Sequence, residues 1–207
     1  MSSDRNLVTT IEALEAIYPK PSGAPVVKEI DHINAGYRAL IEAAPFVVVA
    51  TSGPEGLDCS PKGDAPGFVR IIDEKTLAIP DRPGNNRTDG FHNLMRDPRI
   101  ALLFLIPGIG ETLRVNGRAV LSVDPELRES FAVNGKPARC VLIVTIESIY
   151  FHCSKAVVRS KLWDVSRQID RKSLPSTGTI IAELSKGALG GEKYDREAPE
   201  RIKSQLY

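Results

Sequence analysis

The chain has 207 residues, and its 27 lysines and arginines stand against 26 aspartates and glutamates for a formal net charge of +1. At this length a chain buries roughly 70% of its unfolded surface, and 42% hydrophobic residues supply a core without metals or disulfides. One domain with attachments is expected. The near-neutral balance lacks the broad basic surface that dominates nucleic-acid affinity, so no nucleic-acid partner is expected.

Cys59, Cys140 and Cys153 are odd in number and widely spaced. That argues for a reducing compartment and against a disulfide framework, and the three read as small buried hydrophobes. The longest apolar stretch, 100–107, is far short of the roughly 20 residues a bilayer span needs. The first ten residues show no basic segment leading into an apolar one. Neither a signal peptide nor a membrane partner is expected, and a cytoplasmic location follows.

In chain order, Ile30, Ile33, Tyr37, Leu40, Ile41 and Ala44 return to one face of a helix over 28–44,. Pro45 ends it and leads into the β-branched run at 46–51,. Short strands separated by turn residues follow at 57–61, 68–73, 76–80, 99–106, 111–123 and 139–151. Seven strands at this spacing favour an antiparallel barrel. Helical pieces fall at 88–96, opened by Thr88, and at 124–133, opened by Asp124 and Pro125 as N-cap and first helical residue,. After residue 152 a short helix or strand extension is expected over 155–164, then an amphipathic helix over 178–186. The charge-rich stretch from Gly187 is not expected to fold alone.

Familiar catalytic signatures are missing: the sequence has no GxSxG, Walker A or HExxH,. His32, His92 and His152 are about sixty residues apart, and no metal site is expected. The loop 81–87, Asp-Arg-Pro-Gly-Asn-Asn-Arg, is different. Gly84, Asn85 and Asn86 tolerate left-handed backbone and can turn amides inward as an anion nest. Arg82 and Arg87 add guanidinium forks that match phosphate oxygens two at a time, and a helix starting near Thr88 would offer its amides to the same anion. A solvated turn between strands draws on the same residue types. Along 111–123, Leu113, Val115, Ala119 and Leu121 alternate with Thr112, Arg114, Asn116 and Arg118. One face is core and the other is a donor-rich row suited to a ligand's carbonyls and anions, although an ordinary exposed face would also be polar. Lys62 and Gly63 form a second turn that could face an anion. Trp163 follows Lys155 and Arg159 in a basic segment; its plane suits a flat heteroaromatic ligand, or caps the core.

Four segments together, SPKGD at 60–64, PDRPGNNR at 80–87, ETLRVNGRA at 111–119 and KAVVRSKLWD at 155–164, resemble the pyridoxamine 5'-phosphate oxidase-like flavoproteins, and most nearly the bacterial branch with a long PDRPGNNR loop. The resemblance implies a mainly β protein with flanking helices, a six-stranded antiparallel split β-barrel that is homodimeric, with FMN at the subunit interface. It covers the FMN-binding domain at 28–165, leaving an N-terminal extension at 1–27 and a C-terminal helix and arm at 166–207 that is either packed on the partner subunit or a frayed tail. It implies that Lys62, Gly63, Arg82, Asn85, Asn86 and Arg87 lie near the phosphate and ribityl chain. Phe68, Val69 and Arg70 would run along the isoalloxazine ring, while Thr112, Arg114, Asn116, Arg159 and Trp163 of a second subunit would complete the pocket. The activity implied is that of an FMN-dependent oxidoreductase acting on a small molecule. A non-catalytic FMN carrier or sensor is the alternative from another class. The Arg-x-His substrate motif of the true oxidases has no counterpart, since 159–164 reads Arg-Ser-Lys-Leu-Trp-Asp and no histidine follows His152. Pyridoxamine 5'-phosphate oxidation is therefore a further alternative rather than the first reading.

Overall fold

Residues 6–207 are described by the computed structural model; the first five residues of the expected N-terminal extension lie outside them. Two short helices, α1 (Ile11–Ile17) and α2 (Ala24–Val27), precede α3 (Ala35–Ala43). Strands β1 (Phe46–Gly53), β2 (Gly56–Gly63), β3 (Arg70–Asp73) and β4 (Thr76–Pro80) lead to helix α4 (Asp89–Leu94). Then come β5 (Arg99–Leu105), β6 (Thr112–Ser122), α5 (Pro125–Ser130), β7 (Val141–His152), α6 (Lys155–Ser160), α7 (Thr177–Leu184) and α8 (Gly191–Gln205).

The strands form one sheet in the order β2-β1-β5-β6-β7-β4-β3, and every pairing is antiparallel. Alternation puts Val47 and Val49 of β1, Leu102 and Phe104 of β5, and Leu113 and Val115 of β6 on the inner face,. Leu142 and Val144 of β7 and Leu77 and Ile79 of β4 belong to the same buried cluster. Strands far apart in the order thus share one core, so the sheet is strongly curled. It is not a closed barrel, and among the described residues it has seven strands where the resemblance implies six. β2 and β3 are its edges and do not pair with each other. The reason is local: β3 has four residues, pairs only with β4 and carries an irregularity between Ile71 and Asp73.

β6 and β7 are the longest strands and their register holds a bulge. Buried positions on β7 are even at Leu142, Val144 and Ile146, then odd at Ile149. Asn116 pairs with Ser148 while Gly117 pairs with Ile146, so Glu147 is the extra residue that restores the phase,. Gly117 is required here, because a Cβ at this position would lie 2.0 Å from the Thr145 carbonyl oxygen.

Helix α3 lays Tyr37 and Ile41 on the core. It starts seven residues later than its periodicity suggests, because Asn34 caps it by accepting the Tyr37 amide at 2.8 Å,. Ile30 reaches the same core in another way, through a bridge to Ile149. Asp124 caps α5 as expected and accepts the Leu127 amide at 2.8 Å. The cysteines differ from expectation: Cys59 and Cys153 are exposed and Cys140 is half-buried, all three free. No helix among the described residues is long and apolar enough to cross a membrane.

The region after Gly187 forms α8, which packs on α7. Asp195 of α8 accepts the Gly178 amide at 2.7 Å and the Ser176 hydroxyl at the start of α7. A Cβ at Gly190 would meet the Gly178 carbonyl at 2.5 Å, so small residues permit the close approach of the two helices,.

Candidate functional site

The curl brings the outer end of β2 opposite the end of β4, and two ion pairs span the gap. Lys62 Nζ lies 2.7 Å from Asp81 Oδ1, and Arg82 Nε lies 2.8 Å from Asp64 Oδ2. Arg82 also donates to the Phe131 carbonyl at 2.7 Å. Side chains of Lys62 and Asp81 are only 18% and 19% exposed, so their attraction is less screened than that of a surface pair,. Within this split lies a cavity of about 440 Å³, in the range that holds small molecules. β2 contributes Asp58, Ser60 and Lys62, the loop after β4 contributes residues 81–88, and α4 contributes Phe91 and Leu94. Val49, Phe68 and Leu142 give it an apolar wall.

The loop is held from several sides. The Asp81 amide donates to the Cys140 carbonyl at 2.9 Å and the Arg139 amide to the Asp81 carbonyl at 3.1 Å, extending the pairing of β4 with β7. Asn85 Oδ1 accepts the Arg87 amide at 3.0 Å. Asn86 adopts φ +59°, the left-handed conformation expected of an anion nest residue,. Its Oδ1 accepts from Arg139 Nη1 at 2.5 Å. Helix α4 follows with six residues, Thr88 makes no side-chain cap bond, and Asp89 in the first turn accepts both Nε and Nη2 of Arg87. Asn93 anchors α4 to the β1–β2 hairpin by donating to Thr51 Oγ1 at 3.3 Å and to the Gly56 carbonyl at 3.2 Å.

Electrostatics around the cavity are those of paired charges. Burial disfavours ionisation of Asp64, but hydrogen bonds from the Tyr207 hydroxyl, the Ala65 amide and Arg82 outweigh it and hold the carboxyl below its ordinary value,. Tyr207 is pushed up by the same contact with Asp64. Burial, reinforced by Asp81, raises the Cys140 thiol, which is therefore a poor nucleophile,.

Of the residues expected from sequence, Lys62, Gly63, Phe68, Arg82, Asn85, Asn86 and Arg87 all line this one cavity. Val69 is instead a core residue, 1% exposed. Arg70 points away, donating to Ser130 and lying 3.9 Å from the Phe131 ring centroid. Thr112, Arg114, Asn116, Arg159 and Trp163 do not line the cavity of their own chain. Arg114 donates to Tyr150 Oη at 2.8 Å, Asn116 to Ser148 Oγ at 3.3 Å and Trp163 Nε1 to the Ile109 carbonyl at 2.7 Å. His152, whose ring stands 5.1 Å from that of Tyr150, has its pKa lowered by burial and by Arg114 and Lys28. Sequence reasoning misses Arg139, which lines the cavity. Its separation of 53 residues from Asn86 left no local signal.

Comparison with known proteins places the chain by family. The profile described as "Pyridoxamine 5'-phosphate oxidase" matches residues 33–153. That is more than half of the sequence, and the chain belongs to this family. A search of curated proteins gave no match. Among solved structures, HupZ of Group A Streptococcus is 21% identical, with 59% of this chain and 95% of that one covered at a TM-score of 0.49. A Clostridium acetobutylicum protein related to general stress protein 26 of the pyridoxinephosphate oxidase family is 18% identical, covering 57% and 86% at 0.45. An F420 reductase is 18% identical, covering 58% and 98% at 0.41.

Proposed function

We propose that this chain is an FMN-binding flavoprotein and an FMN-dependent oxidoreductase of a small molecule, with a split-barrel architecture completed by dimerisation. One observation carries the reading: seven residues singled out from sequence for contact with FMN converge on a single cavity in the split of the sheet. Its donor set fits the cofactor. Arginine forks and the Asn85–Asn86 turn suit a phosphate, while Phe68, Leu94 and Leu142 suit a flat ring,.

When bound, FMN supplies the redox chemistry at its N5 atom. The residues of the chain bind, orient and shield. Lys62–Asp81 and Arg82–Asp64 fix the width of the split, and the apolar wall excludes water from the ring. No dedicated acid or base is required of the sequence.

The homodimer rests on the outer face of the sheet. Register places Val48 beside Leu103 and Leu103 beside Arg114. Phe46, 38% exposed, pairs with Leu105. This apolar strip borders the Thr112, Arg114 and Asn116 row, so a copy docked on it would offer that row to the neighbouring cavity. Arg114 at the pyrimidine edge of the ring would favour the reduced anionic flavin.

Anaerobic mixing of the FMN-loaded protein with NADH or NADPH tests the activity. Bleaching of the flavin band faster than for free FMN is the expected result. Retained flavin without bleaching under either donor would favour a carrier instead, and peroxide release from pyridoxamine 5'-phosphate would identify an oxidase.

A further inference from the structure

Residues 6–27 are exposed throughout, and α1 within them buries no side chain. Its sequence is nonetheless that of a packed helix. Ile11, Leu14 and Ile17 recur at three-residue spacing and share one face,. All three are exposed, Ile11 at 70%, as are Leu7 and Tyr18 on either side. Seven residues are too few to hold a helix in water without something to pack on, since isolated helices below about 12–15 residues are marginal. Among the described residues no hydrogen bond or ion pair ties 7–22 to the rest of the chain. The Pro19-Lys20-Pro21 run that leads from α1 to α2 has no regular structure. Such a spacer is stiff and extended, at about 3.1 Å per residue, and holds the helix off its own body.

A second apolar surface without a partner follows β7. Val158, Leu162, Val165 and Ile169 are exposed, Val165 at 74%. Around them, residues 155–174 carry six lysines and arginines against two aspartates, and none of the six forms an ion pair among the described residues. Helix α1 is the complement: its charges are Glu12 and Glu15, with no cation, and neither glutamate is paired. The two segments are also rooted side by side. Ile30 bridges Ile149, and Lys28 Nζ stands 4.9 Å from the Phe151 ring centroid and 5.8 Å from that of Tyr150. The arm therefore leaves the body beside the end of β7, where α6 begins. Tyr150 accepts from Arg114, a member of the row that borders the outer strip, so the arm springs from the margin of the face assigned to the dimer.

We infer that residues 7–18 are an exchange arm for a second copy of this chain, with α1 of each protomer docked on the 158–174 segment of the other. Ile11, Leu14 and Ile17 cover the exposed side chains of that segment, and Glu12 and Glu15 meet its cations. The inference rests on the dimer proposed above and adds to it a contact that the outer strip does not contain. Two-fold symmetry makes the exchange reciprocal, so each dimer holds two such docks. A helix that packs only across the interface has no partner within its own chain.

Analytical ultracentrifugation of the full chain, which reads the dimer dissociation constant, gives the test. Leu14→Asp is expected to weaken the dimer by about tenfold to a hundredfold, and it leaves the fold of each protomer intact because α1 buries nothing in its own chain. Val165→Asp should match it, and the double variant should be little weaker than either single, since both remove one contact. A benzophenone amino acid in place of Ile17 should crosslink on irradiation to peptides from 158–174 and give a product of twice the chain mass. An unchanged dissociation constant in Leu14→Asp, full additivity, or a crosslink within one chain would overturn the exchange. So would binding to anionic phospholipid vesicles that Leu14→Asp abolishes while the dimer persists, which would assign the arm to a membrane surface. A monomeric wild type would remove the dimer reading as well. A dimer broken by Leu103→Glu but indifferent to Leu14→Asp would remove the arm alone.

Discussion

Lys62 and Asp81 meet at 2.7 Å across the mouth of the curled sheet, although β2 and β4 have four other strands between them in hydrogen-bonding order. A side-chain ion pair thus stands where a closed barrel would have ladder hydrogen bonds. With Arg82 and Asp64 beside it, it fixes the split without filling it.

Removing one partner of this clasp leaves the other charge half-buried and unpaired. Lys62→Met should cost about 1.5–3 kcal/mol, and Asp81→Asn a similar amount. The double variant should cost less than the two singles together, because neither charge is then orphaned. Urea unfolding of the four proteins measures the coupling; strict additivity would mean that the pair does not hold the split.

Gly117 faces the Thr145 carbonyl at the bulge that sets the phase of β7. Gly117→Ala forces the two longest strands apart and should cost at least about 3 kcal/mol. Thermal unfolding reads this directly, and a Tm within a degree or two of wild type would contradict the bulge geometry.

Asp64 has a folded-state pKa below its unfolded value. A depressed carboxylate stabilises the fold in full above the unfolded value of ~4 and loses that contribution as pH falls through the folded pKa. Wild type should therefore exceed Asp64→Asn in stability at neutral pH by a constant margin that narrows below about pH 4. Denaturant midpoints at a series of pH values test the sign; a margin that widened on acidification would refute it.

The outer strip carries the dimer reading. Leu103→Glu places a charge at the centre of the apolar face without touching the buried core. If the proposed dimer holds, light scattering should shift from two chains to one, and FMN affinity should fall at least about tenfold, since the row proposed to come from the partner would be lost. A variant that remained dimeric would move the interface elsewhere.

Strands were the most legible part of the sequence: 46–51 is a β-branched run, and the alternation along 111–123 is a local property that burial enforces. The start of α3 was less so: Ile30 is as apolar as a helix residue at that spacing, but it reaches the core through Ile149 on β7. Closure was not legible, because it depends on whether β2 and β3 meet, which neither strand encodes alone. Cys59 and Cys153 misled because residue type predicts burial only on average, and both lie on the surface. The cavity-lining loop 81–87 was conspicuous because Gly84, Asn85 and Asn86 announce left-handed backbone, found at Asn86, while the aspartate partners of its arginines were not legible. Nor was Arg139, being brought to that loop by strand pairing. The order of the last arm came from contacts as well, with Asp195 capping α7.

The most direct test of the flavoprotein assignment is an absorbance and fluorescence spectrum of the purified, desalted protein, with any ligand released by heat identified by mass. The account predicts FMN at about one per chain, matching the cavity that seven of the expected residues line. A colourless protein that also failed to take up added FMN would contradict it.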